Sequence, residues 1–238
     1  MWYLKGASVC RKIFLLILLV GLQKLYGTDI QITGKGLGFF ATPEYNRAFY
    51  FCWDISTVGA LEFNNRYTIK SGLALGAAGI NFDIKGFVGG EATPFATIPV
   101  GFGLDYKYYG LPEYEYHDHS IVLLAFVKTR RAGFSLGHNF RFNSFFGEPP
   151  IFEPVWLCSV YVLLVSNERL HLQLKGANFN DFISGNMTGY FLSLNSVISL
   201  NKKISLVNEI EVHQSGSINL ASNLYGIVYR GGVVFSWQ

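Results

Sequence analysis

From about residue 29 to the C-terminus, apolar and polar residues alternate with a period of two, the signature of half-buried strands. In 49–63, Phe49, Phe51, Trp53, Ile55, Leu61 and Phe63 share one face, and Tyr50, Cys52, Asp54, Ser56 and Glu62 the other. In 97–108, Ile98, Val100, Phe102, Leu104, Tyr106 and Tyr108 alternate with Thr97, Pro99, Gly101, Gly103, Asp105 and Lys107. The same rhythm recurs over 133–143, 169–175 and 203–213. Helical periodicity is weak. Beyond the N-terminal segment no stretch reaches the ~18 consecutive apolar residues of a membrane helix.

Such alternation suits a soluble β-sandwich or a barrel with its apolar face in lipid. Three features favour the barrel. The apolar faces carry bulky residues on nearly every strand. The opposite faces are rich in Gly and small polar residues, as a narrow lumen requires. Tyr and Trp gather near segment ends, where aromatic girdles meet the membrane interface. Ile121–Val127 and Val155–Val165 are almost continuously apolar. They read as strands whose inward face is also apolar, as in a packed lumen.

Tight turns are predicted at Asn201-Lys202, Asn167-Glu168 and Arg130-Arg131, and longer polar connections near 215–221, 179–187, 144–154 and 110–118. This alternation of short and long connections matches periplasmic turns and external loops, and gives eight strands from residue 95 onwards. Upstream, 29–41, 49–63, 66–76 and 80–88 are candidates. The apolar parity flips across Gly76-Ala77-Ala78-Gly79, which signals a turn or a bulge. A turn gives twelve strands, the preferred count; ten and eight are the alternatives. The fold class is therefore all-β, an antiparallel transmembrane β-barrel.

The N-terminus reads separately. Lys5, Arg11 and Lys12 precede a ten-residue apolar run, Ile13 to Leu22, and cleavage after Gly27 is expected. This is a secretory signal in outline, too short to span as a helix. The organisation is then a signal peptide, 1–27, and a barrel domain, 28–238. Four of the 19 basic residues and none of the 16 acidic ones lie in the signal, leaving 15 against 16. No electrostatic case for nucleic acid remains. Charged residues make up only 15% of the chain, against ~25% in soluble domains. Cys52 and Cys158 could pair or stand unpaired within strands. No metal spacing and no cofactor motif occurs.

The chain ends Gly232-Val233-Val234-Phe235-Ser236-Trp237-Gln238. This resembles the β-signal of bacterial outer-membrane barrels, with Gly232, Phe235 and Trp237 at its glycine and hydrophobic positions. The resemblance covers about the last fourteen residues. It implies an outer-membrane location, lipid contact, and recognition by the barrel-assembly machinery. Gln238 departs from the pattern, since many such chains end on the aromatic itself.

Two sets of residues carry candidate chemistry. The expected inward face holds both signs: Lys70, Asp83, Lys85, Asp105, Lys107, Arg141, Arg169, His171, Lys175, Glu209, Glu211, His213 and Arg230. These either line a narrow aqueous pore and set its selectivity or pair across the lumen and close it. The segment Glu113 to Ser120 is the densest polar cluster. Its histidines and serine are similar to the His-x-Ser pattern of outer-membrane lipid A deacylases. That resemblance implies His117 or His119 as base and Ser120 as nucleophile, with Asp118 or Glu115 orienting the base. The same cluster could bind a divalent cation, or be an ordinary polar loop. The loop 147–154, with three prolines, reads as a rigid connection or a surface contact. The leading functional reading is a narrow channel for small polar solutes. A closed barrel with a structural or interaction role, and a lipid acyl hydrolase, are the alternatives.

Overall fold

The period-two pattern resolves into twelve antiparallel strands. The computed structural model describes residues 36–46, 50–78, 80–94, 100–179, 190–215 and 223–237. The expected signal peptide, 1–27, lies outside these residues. The strands are β1 (Gly36–Asn46), β2 (Tyr50–Phe63), β3 (Tyr67–Ala78), β4 (Asn81–Ala92), β5 (Val100–Leu111), β6 (Tyr116–Lys128), β7 (Ala132–Ser144), β8 (Ile151–Ser166), β9 (Leu170–Ala177), β10 (Tyr190–Ser199), β11 (Ile204–Ser215) and β12 (Asn223–Phe235). Each strand pairs with its sequence neighbours, and β1 also pairs with β12, so the sheet closes on itself. Closure removes every edge, which a sheet in lipid requires.

The two faces are chemically opposite. Phe51, Trp53, Ile55, Phe102, Leu104, Phe134, Leu136, Leu192 and Ile210 are exposed on the outside. Their strand neighbours Cys52, Asp54, Ser56, Asp105, Ser193 and Glu211 are buried inside. A soluble sheet would bury the first set. An apolar exterior around a polar interior is stable only where lipid replaces water. Outward aromatics crowd the rim of the long connections: Tyr45, Phe51, Trp53, Phe82, Phe142, Phe152 and Tyr190.

Turn chemistry sets the connections at the other rim. Asn64 and Asn65, with φ of 51° and 54°, close β2 to β3, a left-handed pair of the kind that hairpins favour and Asn tolerates. Asn167 and Asn201 each accept two backbone N–H groups in their turns, from Arg169 and Leu170 and from Lys203 and Ile204. The parity flip after Leu75 is a turn, β3 ending at Ala78 and β4 beginning at Asn81. Twelve strands therefore replace the ten and eight held open.

Several boundaries differ from the sequence reading; β4, predicted over 80–88, runs on to Ala92. Residues 29–35 of the first predicted strand, 29–41, lie outside the described residues. The first strand runs from Gly36 through Pro43 to Asn46, past the predicted end at 41. Its ladder with β12 skips Thr42 and Pro43 and resumes at Glu44, because proline brings no N–H to the ladder. The connection 144–154 is shorter than predicted, since Ile151–Pro154 already belongs to β8. Pro154 is tolerated because β9 pairs with β8 only from Ser159 onwards. The connection 110–118 shrinks to a 3-10 turn, Pro112–Tyr114, and Glu115.

Inside, space is divided by Gly-aromatic pairs. Phe40 lies over Gly232 and Gly38, Phe87 over Gly72, Phe126 over Gly101 and Tyr161 over Gly133. A Cβ at any of these glycines would collide with the ring. Two apolar clusters result: Ala74 and Phe87 with Val58, and Val122, Leu157 and Phe179 with Leu124 and Val155. The second is the inward apolar face expected from the continuous runs on β6 and β8.

Candidate functional site

The lumen is the site, because the charged side chains converge there. Most of its cations sit between two carboxylates. On the β2–β4 wall, Lys85 Nζ lies 2.8 Å from Asp54 Oδ2 and 3.3 Å from Asp83 Oδ2. Register places Gly76 of β3 between Asp54 and Asp83. A Cβ there would lie 2.7 Å from Asp54 Cβ, so the missing side chain lets Lys85 bridge across. Nearer the short-turn rim, Lys70 Nζ lies 3.2 Å from Glu91 Oε1 and 3.3 Å from Asp105 Oδ2, and Lys128 also reaches Glu91 at 2.7 Å. The Ala74, Phe87 and Val58 cluster separates these two charged levels.

Two further groups follow the same plan. Arg141 Nε donates to Asp118 Oδ2 at 2.6 Å and Nη1 to Glu153 Oε2 at 2.9 Å. Arg141 also donates to the Tyr116 hydroxyl at 2.9 Å. On β11 and β12, Arg230 pairs with Glu209 and stands 3.9 Å from Glu211, whose other oxygen is 3.0 Å from His213 Nε2. Charges withdrawn from water are tolerated only with such partners. Lys107 is buried on β5, and buried Lys175 lies 5.3 Å from the Phe179 ring centroid, within cation–π range.

Of the expected lumen residues, Lys70, Asp105, Lys107, Arg141, Lys175, Glu209, Glu211 and Arg230 occupy inward strand positions. Arg169 does not. It lies exposed in the turn between β8 and β9, one residue before the strand that would have aimed it inward. His171 is exposed at the same end, hydrogen-bonded to Ser166 at 3.0 Å. The carboxylates Asp54, Glu91, Asp118 and Glu153 are lumen residues that the expected inward set omits; Asp118 is expected only as a catalytic acid. Strand parity carried forward from Ser56, Ser120 and Val155 finds three of them; Glu91 follows from Asp83 and Lys85.

The acyl-transfer candidates are not brought together. His117 and His119 stand at odd offsets from Ser120, and odd offsets on a strand point to opposite faces. Both histidines are exposed on the outer face, bound to Tyr108 and Tyr106 at 2.9 and 2.7 Å. Ser120 is buried inside, donating to Asp118 and accepting from Asn139 Nδ2 at 3.2 Å. Asp118 itself is held by Arg141. Glu115 is exposed in the connection between β5 and β6. Among the described residues no group of three or more His, Cys, Asp or Glu is arranged to hold a metal. Cys52 faces the lumen from β2 and Cys158 faces outward from β8, with no disulfide between them.

The expected assembly residues lie on the closing strand and just past it. Gly232 faces inward beneath Phe40, and Phe235 faces outward with its ring centroid 6.4 Å from that of Phe39. Trp237 is exposed beyond the strand end.

No protein-family model matches the chain, and no curated protein matches it in sequence. Solved structures match its fold. The KdgM porin, solved in complex with disordered oligogalacturonate, superposes with a TM-score of 0.58 at 8% identity, covering 85% of this chain and 99% of its own. The NanC porin gives 0.54 at 12% identity, covering 84% and 100%. The chain is thus a closed twelve-stranded transmembrane β-barrel with the fold of bacterial outer-membrane porins.

Proposed function

We propose that the chain is a narrow outer-membrane channel for small polar solutes. The observation that carries this reading is the inward face: four separate groups of charged side chains inside a barrel whose exterior is apolar. Such a lining suits a hydrated path through lipid. The fold shared with KdgM and NanC supports it. The oligogalacturonate named for KdgM is an acidic oligosaccharide and is not carried over, because this lumen holds more carboxylates than cations. The test is ion conductance of the folded barrel in a planar bilayer, with folding verified by altered gel migration before and after boiling. Discrete, salt-dependent steps are the expected result; silence from folded protein refutes the channel.

A closed barrel is the second reading, and burial favours it: Asp83, Asp105, Lys107 and Glu211 are each only 2–3% exposed. The same recording separates the two. The hydrolase reading has no support from the placement of His117, His119 and Ser120. Recognition of Gly232, Phe235 and Trp237 by the barrel-assembly machinery is also our inference. It is supported by their place on and just beyond the strand that closes the sheet, and is checked by loss of membrane-inserted barrel in Phe235→Ala and Trp237→Ala.

A further inference from the structure

Four lumen cations each lie between two carboxylates, and in one of these groups Lys128 also reaches Glu91. Lys85 serves Asp54 and Asp83, Lys70 serves Glu91 and Asp105, Arg141 serves Asp118 and Glu153, and Arg230 serves Glu209 and Glu211. Each group of three keeps one negative charge, four in all. Inward-facing Lys107, Lys128 and Lys175 add three positive charges, and inward-facing Glu44 and Glu62 two negative ones. Among the described residues, with imidazoles neutral, the lumen retains a net charge of −3.

A second observation is independent of that count. Asp54 Oδ1, Asp83 Oδ1 and Asp105 Oδ1 are buried and accept no hydrogen bond. The side chains of Asp83 and Asp105 are 3% and 4% exposed. A buried carboxylate oxygen without a donor is costly, and a passing cation is a partner that these oxygens can take. An anion meets the same oxygens as repulsion.

We propose, on the channel reading above, that the lumen passes small cations and cationic solutes in preference to anions. The basic residues of the short-turn rim, Arg66, Arg130, Arg131, Arg169, Lys202 and Lys203, do not reverse this. They are exposed to water, where charges are screened within about 8–10 Å, whereas lumen charges act at close range in a confined space.

The experiment is the zero-current potential of the full chain, isolated folded from membranes, in an uncharged phosphatidylcholine bilayer under a tenfold KCl gradient. Perfect selectivity for one ion reads about 59 mV for a tenfold ratio of a monovalent ion. The expected potential has the sign of K+ permeation, with K+ several-fold preferred over Cl−. Asp83→Asn and Asp105→Asn, confirmed folded by the boiling shift, are each expected to reduce that preference. Open channels with a potential near zero, or with the sign of Cl−, overturn the proposal and leave the channel reading standing. Absence of any conductance refutes the channel reading itself. Should either variant fail to fold, the sign measured for the unaltered chain still decides.

Discussion

Lys85→Met tests whether the lumen's ion pairs are structural. Met keeps the apolar stem and removes the charge, so packing changes little. Lys85, Asp54 and Asp83 are 13%, 10% and 3% exposed, and the ammonium lies 2.8 and 3.3 Å from the two carboxylates. Pairs this buried are screened little by solvent. Removing one partner of a buried pair costs about 3–5 kcal/mol, because an uncompensated charge is left behind. Here two carboxylates are left, facing each other across Gly76, so the upper part of that range is expected. Urea unfolding of the barrel in lipid vesicles, followed by Trp fluorescence and the boiling shift, reads the change as a lowered midpoint at unchanged slope. The cycle is closed with Asp54→Asn and Asp83→Asn. In that background Lys85→Met is expected to cost little, since no buried anion remains to be stranded. A loss below about 1 kcal/mol, typical of an exposed pair, would refute the reasoning. An equal loss with and without the carboxylates would refute it too.

Three further outcomes separate position from composition. Arg141→Gln is expected to change single-channel conductance or selectivity and Arg169→Gln to change neither, a contrast read in one bilayer series; equal effects would contradict their placement in the lumen and in the turn. Gly72→Val forces a branched side chain into the Phe87 ring and is expected to lower stability by about 1–3 kcal/mol, the usual range for overpacking, measured by urea midpoint. Ser120→Ala is expected to leave fatty-acid release from phospholipid vesicles at the unaltered protein's level; abolition of a measurable rate would reinstate the nucleophile.

Much of this architecture is legible in the sequence because a barrel obeys one simple rule, the alternation of faces. Parity alone separates Phe51, Trp53 and Ile55 from Cys52, Asp54 and Ser56, and its flip after Leu75 marks the turn that makes the count twelve. The same rule fails where an element's end is uncertain. Arg169 has the right parity but lies one residue outside β9, so its side chain reaches the rim and not the lumen. Residues 147–154 read as a loop because of their three prolines, yet β8 begins at Ile151 and Pro154 is accommodated where β8 has no β9 partner. That misreading hid Glu153, and reading 110–118 as loop hid the inward position of Asp118. The histidines before Ser120 resembled a catalytic pattern only because a loop has no parity; once β6 begins at Tyr116, the odd offsets put base and nucleophile on opposite faces. Which carboxylate meets which cation was not legible, because it depends on register across strands up to 37 residues apart, as for Glu91 and Lys128.

The arrangement of the two lumen walls constrains how conduction would proceed. The inward faces of β6 and β8 meet in the Val122, Leu157 and Phe179 cluster, an apolar stretch with nothing to offer an ion beyond the Arg141, Asp118 and Glu153 group. The carboxylate-rich groups stand mainly on β2 to β5 and, around the ring, on β11 and β12. Under the channel reading, a permeating cation therefore follows the charged walls and avoids the apolar one. The carboxylates along that route are already held by Lys70, Lys85 and Arg230 and are nearly excluded from solvent. A cation can advance only by displacing or sharing one of these partners, as in a multi-site pathway where binding must be weak enough to release. Each fixed cation then sets the local barrier, and its neighbouring pair of carboxylates sets the local well. Small unitary currents with clear selectivity follow from that geometry. Large, unselective currents would instead require the lysines and arginines to swing clear of their carboxylates together.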